Sequence, residues 1–189
     1  MKSTSQQRSR TVKLMTGNVL AFLFMVVMNF LANYLPLNNI TTAEISDKYY
    51  NIFTPAGFTF IIWGVIYISL ALLVIYLIWG AIKGKEGSIQ AISDIGWYFA
   101  ASSVLNGVWI FTWHYDLIVL SLVVMVALLL SLILLYRRLR NGKVEGSGYL
   151  LPFSIYLGWI SVATVANVAT LTVKLDWGGF GLSPEFWLT

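Results

Sequence analysis

Residues Leu117 to Leu135 read LIVLSLVVMVALLLSLILL, without one charged side chain, and Tyr136 to Arg140 follow at once as YRRLR. Wound as an α-helix, an apolar run of about 20 residues crosses the roughly 30 Å hydrocarbon core of a bilayer. The arginines then fall at headgroup level. Outward from this run the same pattern recurs. An apolar run from about Leu14 to Leu35 is closed by Pro36, a second covers about Gly57 to Ile82, a third about Ile89 to Trp113, and a last about Leu150 to Val173. The expected fold class is an all-α integral membrane protein, a bundle of five transmembrane helices over residues 14–173. A cytoplasmic tail (1–13) precedes it and an extracytoplasmic segment (174–189) follows.

Composition excludes a water-soluble domain. Hydrophobic residues make up 58% and charged residues 11%, with a mean hydropathy of +0.78, whereas soluble domains carry about 25% charged residues. Cysteine is absent, so disulfides, thiolate chemistry and cysteine-ligated metals are excluded. The net charge of +4 lies in short clusters beside apolar runs, which fits lipid headgroups and topology rather than nucleic acid. The first run is too long for the core of a signal peptide and is read as a mature span.

Ten of the twelve Lys and Arg fall on one side of the expected bundle: Lys2, Arg8, Arg10, Lys13, Lys83, Lys85, Arg137, Arg138, Arg140 and Lys143. Only Lys48 and Lys174 fall on the other, so the positive-inside rule places the N-terminus in the cytoplasm and the C-terminus outside. The short segment HYD, His114 to Asp116, makes the third and fourth spans antiparallel neighbours.

At 100° per residue the third span carries two stripes. Gly96, Ala100, Ser103 and Gly107 form one, a small-residue face suited to close helix packing within the bundle or along a homodimer seam. Tyr98, Ser102, Asn106, Trp109 and Trp113 form the other, whose polar atoms should face the interior. The fifth span aligns Tyr156, Trp159, Ala163, Asn167 and Thr170, the second Phe60, Trp63 and Tyr67, and the first Asn18, Met25, Asn29 and Asn33. Aromatic rings and amides aimed at one interior suit a flat, hydrophobic small molecule, and they serve ordinary helix packing equally well. Trp79, Trp97, Trp177 and Trp187 are expected in the interfacial belts, with Trp63, Trp109 and Trp159 deeper.

Catalytic constellations are missing. The single histidine, His114, lies in the HYD turn and is expected at the surface, and one histidine without cysteine makes no metal site of recognised spacing. Asp94 is expected as a solvated residue at a helix start. No paired carboxylates, arginine ladder or glycine-rich phosphate loop occurs, so no catalytic residue, metal or required cofactor is assigned. Asn39-Ile40-Thr41 fits the glycosylation pattern, and GGFGLSPEFWLT, with Ser183 as a cap and Pro184 at the first helical position, is expected to lie on the membrane or open a further helix.

Three segments resemble the TspO/MBR family, the tryptophan-rich sensory proteins related to the mitochondrial translocator protein. PAGFTFIIWGVIY (Pro55 to Tyr67) looks like its loop and second helix with a W-x-x-x-Y pair. LNGVWIF (Leu105 to Phe111) is similar to its L-N-x-x-W segment, and WISVATVAN (Trp159 to Asn167) to its W-x-x-x-A-T-x-x-N spacing. Thr54 and Gly57 stand where the family has a second proline and a loop tryptophan, and Pro152 lies three residues farther from Trp159 than usual, the mark of a divergent member.

The resemblance implies binding of porphyrins, haem-related tetrapyrroles or sterol-like molecules. The leading expectation is a non-enzymatic receptor or carrier, with Trp63, Trp109 and Trp159 stacking on the ligand and Tyr67, Asn106, Ala163 and Asn167 lining the site. The alternatives are a tetrapyrrole-degrading membrane enzyme that uses the cavity tryptophans, and a ligand-free scaffold. The expected partners are the lipid bilayer, the small molecule and a second copy of the chain, and no nucleic acid.

Overall fold

The computed structural model describes residues 2–35, 37–142 and 147–177, all helix and connection with no strand among them. Pro36, Lys143 and the segment 178–189, with Ser183, Pro184, Glu185 and Trp187, lie outside the described residues. The described residues form seven α-helices: α1 (Lys2–Tyr34), α2 (Thr42–Lys48), α3 (Ile62–Ile82), α4 (Glu86–Ile95), α5 (Tyr98–His114), α6 (Ile118–Arg140) and α7 (Leu150–Lys174). α1 begins well before the apolar run, so residues 2–13 are helical and continuous with it.

Among the described residues four helical segments are long and apolar enough to cross a membrane: Ser5–Tyr34, Gly57–Ile82, Ile118–Arg140 and Leu150–Lys174. Their outer faces expose Leu20, Val27, Leu72, Ile75, Val123 and Leu130, an arrangement that is costly in water and favourable against lipid tails. Their inner faces bury Met25, Ile66, Leu70, Met125, Leu128 and Ile160 in one core.

The expected third span, Ile89 to Trp113, is not one helix. It breaks at Gly96, whose φ of 56° and ψ of −138° lie where L side chains rarely go and glycine is permitted. α4 ends at Ile95 and α5 starts at Tyr98. The Asn18 amide of α1 donates to the Gly96 carbonyl at 2.9 Å, satisfying a group that the break removes from the helical ladder. The stripe of Gly96, Ala100, Ser103 and Gly107 is therefore not a single helix face. Gly107 packs against the ring of Phe24 in α1 and Ser103 is fully buried, so a homodimer seam on this stripe would have to displace α1.

Asp94 also departs from expectation. It lies in the last turn of α4, where Oδ1 accepts from the Gln90 amide at 2.9 Å and Oδ2 is buried without a partner.

α5 lies between α1 and α6, α6 packs on α7, and α7 on α3. This order places α3, α5, α7 and α1 around one interior. At the end of the bundle holding the α5–α6 turn, the connection 37–55 folds back instead of looping freely. Thr41 caps α2 in a reciprocal box with Glu44, accepting from the Glu44 N–H while Glu44 Oε2 accepts from the Thr41 N–H at 2.7 Å. The spacing Thr-x-x-Glu was a legible signal for this helix.

Candidate functional site: an aromatic cluster with unpartnered donors

Four helices each bring a short set of side chains to the interior. A 3-10 turn over Gly57–Ile61 leads into α3, and positions 60, 63 and 67 then share a face. Trp63 is the hub. Its ring lies 5.6 Å from Tyr67 in a stacked pair, 6.0 Å from Trp109 of α5, 6.0 Å edge-on from Trp159 of α7 and 6.3 Å from Tyr156. Phe60 meets Trp159 edge-on at 6.3 Å, and Trp109 stacks on Trp113 at 5.7 Å. Offset and edge-to-face contacts at these distances are the favourable arrangements for aromatic quadrupoles.

The tryptophans divide by depth. Trp63, Trp109 and Trp159 are 8%, 4% and 8% exposed, whereas Trp79, Trp97 and Trp177 are 48%, 57% and 45% exposed. Trp79 carries Lys85 over its ring at 4.0 Å, as a belt residue does at the headgroup level.

α1 supplies the polar edge of the cluster. Asn29 Nδ2 donates to Asn106 Oδ1 of α5 at 2.7 Å, and the Tyr156 hydroxyl reaches Met25 Sδ at 3.6 Å. Asn33, one turn on, donates back to the Asn29 carbonyl at 3.0 Å. Two of the three amides of the first span thus face inward, Asn18 at the Gly96 break and Asn29 at the cluster, while Asn33 is exposed.

Four donors in this group have no hydrogen-bond partner although their atoms are buried: Tyr67 Oη, Asn106 Nδ2, Trp109 Nε1 and Trp159 Nε1. A buried, unsatisfied donor costs about 1–3 kcal/mol. Four such donors stand together in one aromatic cluster.

Asn167, expected to line the same site, is not among these unpartnered donors: it exchanges hydrogen bonds with Ser121 of α6, Nδ2 donating to Oγ at 2.8 Å and Oδ1 accepting at 3.2 Å. Helical spacing put it on the same face as Trp159, but eight residues along α7 the neighbour is α6. Ala163, half-buried, packs against the core.

His114 is also corrected, since it is 1% exposed rather than at the surface. Its Nδ1 lies 2.8 Å from the Ile110 carbonyl and its Nε2 3.5 Å from Thr42 Oγ1. The Trp113 indole N–H donates to the Thr42 carbonyl at 3.2 Å, and the Asn38 amide to the His114 carbonyl at 3.1 Å. The connection 37–55 is thus fastened over the end of α5.

A second fastening surrounds Asp116. Lys48 and Lys174 pair with its carboxylate at 2.9 and 3.0 Å, and the Tyr49 hydroxyl donates to it at 2.8 Å. Burial opposes ionisation of Asp116, but the hydrogen bonds from Lys48, Tyr49 and Lys174 outweigh it and hold the carboxyl below its ordinary value. Asp116 itself has a positive φ of 58°, a conformation that aspartate tolerates in turns. Sequence reasoning missed this centre, and its only trace was that Lys48 and Lys174 are the two cations on the otherwise acidic side.

Among the described residues no group of three His, Asp or Glu side chains is placed to hold a metal ion. A family model described as TSPO-like protein matches residues 14–189. No curated protein and no solved structure matches the chain.

Proposed function

The chain belongs to the TSPO-like protein family, and from that membership and the aromatic cluster we propose that it is a membrane receptor or carrier for a flat hydrophobic molecule of the tetrapyrrole or sterol-like class. The observation that carries the reading is the set of four unpartnered buried donors among the rings of Trp63, Trp109 and Trp159. The rings part to admit the ligand and stack on its faces. Tyr67, Asn106 and the two indole N–H groups then donate to acceptors at its rim.

In this reading α4 and α5 together form a fifth, broken span, since α5 lies against both α1 and α6 and its 17 residues cover about 26 Å. The N-terminus is cytoplasmic. In support, Lys48 and Lys174 meet at one end of the bundle, while Arg10, Lys13 and Arg138 meet elsewhere, about the Gly96 break.

The test is quenching of tryptophan fluorescence in the purified full chain by protoporphyrin IX. Trp109→Ala or Trp159→Ala removes a stacking surface worth about 1 kcal/mol and should weaken binding about five-fold or more, while Trp79→Ala should change it little. Equal losses from Trp79→Ala and Trp159→Ala, or no binding at all, would leave the ligand-free scaffold. Loss of porphyrin under illumination, with formed products, would instead indicate the degrading enzyme.

A further inference from the structure

A groove of about 810 Å³ lies where α1, the α4–α5 break and α6 meet. Its construction follows from Gly96. The positive φ there turns the chain between α4 and α5 and throws Trp97 across Gly17 of α1, where the indole fills the space a Cβ would occupy. Trp97 stays more than half exposed. Arg10 and Lys13 enter the groove from α1 and Arg138 from α6. Arg138 lies over the Tyr98 ring at 5.7 Å and donates to the Ser93 carbonyl at 3.4 Å.

Among the described residues no carboxylate lines the groove. Asp94, two residues before the break, is hydrogen-bonded to Gln90 and lies against Gly142. Among the described residues the ion pairs are those of Asp116, at the α5–α6 turn, so none of the three groove cations has an acidic partner. Three like charges brought together from two helices repel one another and make a local positive potential.

The surroundings decide what kind of anion fits. Leu14 and Ala101 line the groove with the cations, and Ala101 begins an exposed strip on α5 that continues through Val104 and Val108 at helical spacing. A cationic mouth, an exposed indole and an apolar track along one outer helix face match an amphiphile rather than a free anion.

We infer that this groove is a binding site for an acidic phospholipid, whose phosphate is held by Arg10, Lys13 and Arg138 and whose acyl chain lies along Ala101, Val104 and Val108. The inference does not depend on the ligand of the aromatic cluster, since it uses no residue of that cluster. Bound lipid would tie α1 to α6 across the break.

The experiment titrates the full chain in neutral detergent with dioleoyl phosphatidylglycerol or dioleoyl phosphatidylcholine and counts retained lipid by native mass spectrometry. Phosphatidylglycerol should be retained preferentially. Arg10→Gln with Lys13→Gln, and separately Arg138→Gln, should reduce that preference by about five-fold for each cation removed. Lys83→Gln with Arg140→Gln removes as much charge from exposed positions outside the groove and should leave it nearly unchanged. Val104→Asn, which keeps every cation, should weaken retention by disrupting the acyl track. Equal retention of the two lipids overturns the inference, as does an equal loss from the Lys83 and Arg140 pair. Displacement of the lipid by millimolar inorganic phosphate would make the groove a soluble-anion site and overturn it as well.

Discussion

Asn29 of α1 donates its side-chain amide to the Asn106 carbonyl oxygen of α5 at 2.7 Å, while the same nitrogen donates to the Met25 carbonyl at 2.9 Å. Both residues are buried, so the pair joins two helices where neither lipid nor water can substitute. Asn29→Ala leaves the Asn106 acceptor unpaired and should destabilise the protein by about 1 kcal/mol. A double-mutant cycle with Asn106→Ala, followed by thermal unfolding in detergent, should show a coupling of about that size. Strict additivity would mean that the bond contributes nothing.

Two glycines of α3 should respond oppositely to the same substitution. At Gly80 the Ser88 side chain of α4 fills the place of a Cβ, whereas nothing lies within 4 Å of one at Gly64. Gly80→Ala should therefore cost about 1–3 kcal/mol by overpacking the α3–α4 turn. Gly64→Ala should be neutral or stabilising by up to about 1 kcal/mol through helix propensity. Matched unfolding curves for the two variants would show that the turn yields freely.

The Asp116 clasp sets a pH window. Its carboxyl is held below the ordinary 3.8, so the stabilisation it provides is complete above that value and lost as pH falls through the folded-state value. Hydrogen bonding to Asp116 raises Lys48 above its ordinary 10.5, so that contribution is complete below 10.5 and lost at higher pH. Protection against hydrogen exchange in residues 41–49, taken relative to the intrinsic rate at each pH, should be high and flat between these limits and fall in acid. Asp116→Asn should lower that protection throughout and remove the acid limb; an unchanged acid limb would assign it to another group.

Reporter fusions at Gly142 and Glu44 should read opposite sides of the membrane, with Gly142 cytoplasmic, because the cations divide ten to two between the two sides. The same reading from both would overturn the proposed broken fifth span.

Much of the fold was legible because bilayer thickness limits what an apolar run can do. Length and hydropathy marked α1, α3, α6 and α7, and helical spacing put Asn29, Trp63, Trp109 and Trp159 on inward faces. Spacing names a face but not the neighbour that will meet it. Asn167 shares the face of Trp159, and only the packing of α6 on α7 turned its amide to Ser121. The HYD turn alone predicts an exposed His114, and only the return of α2 over α5 buries it. Gly96 read as one small residue in a packing stripe. Its positive φ is a property of the assembled bundle, in which Asn18, 78 residues away, satisfies the freed carbonyl and makes the break tolerable. Local sequence determined which segments are helical and which faces are apolar. The partners of the buried polar groups were decided by the tertiary structure, because a hydrogen bond between helices depends on their rotation and depth, which no single span encodes.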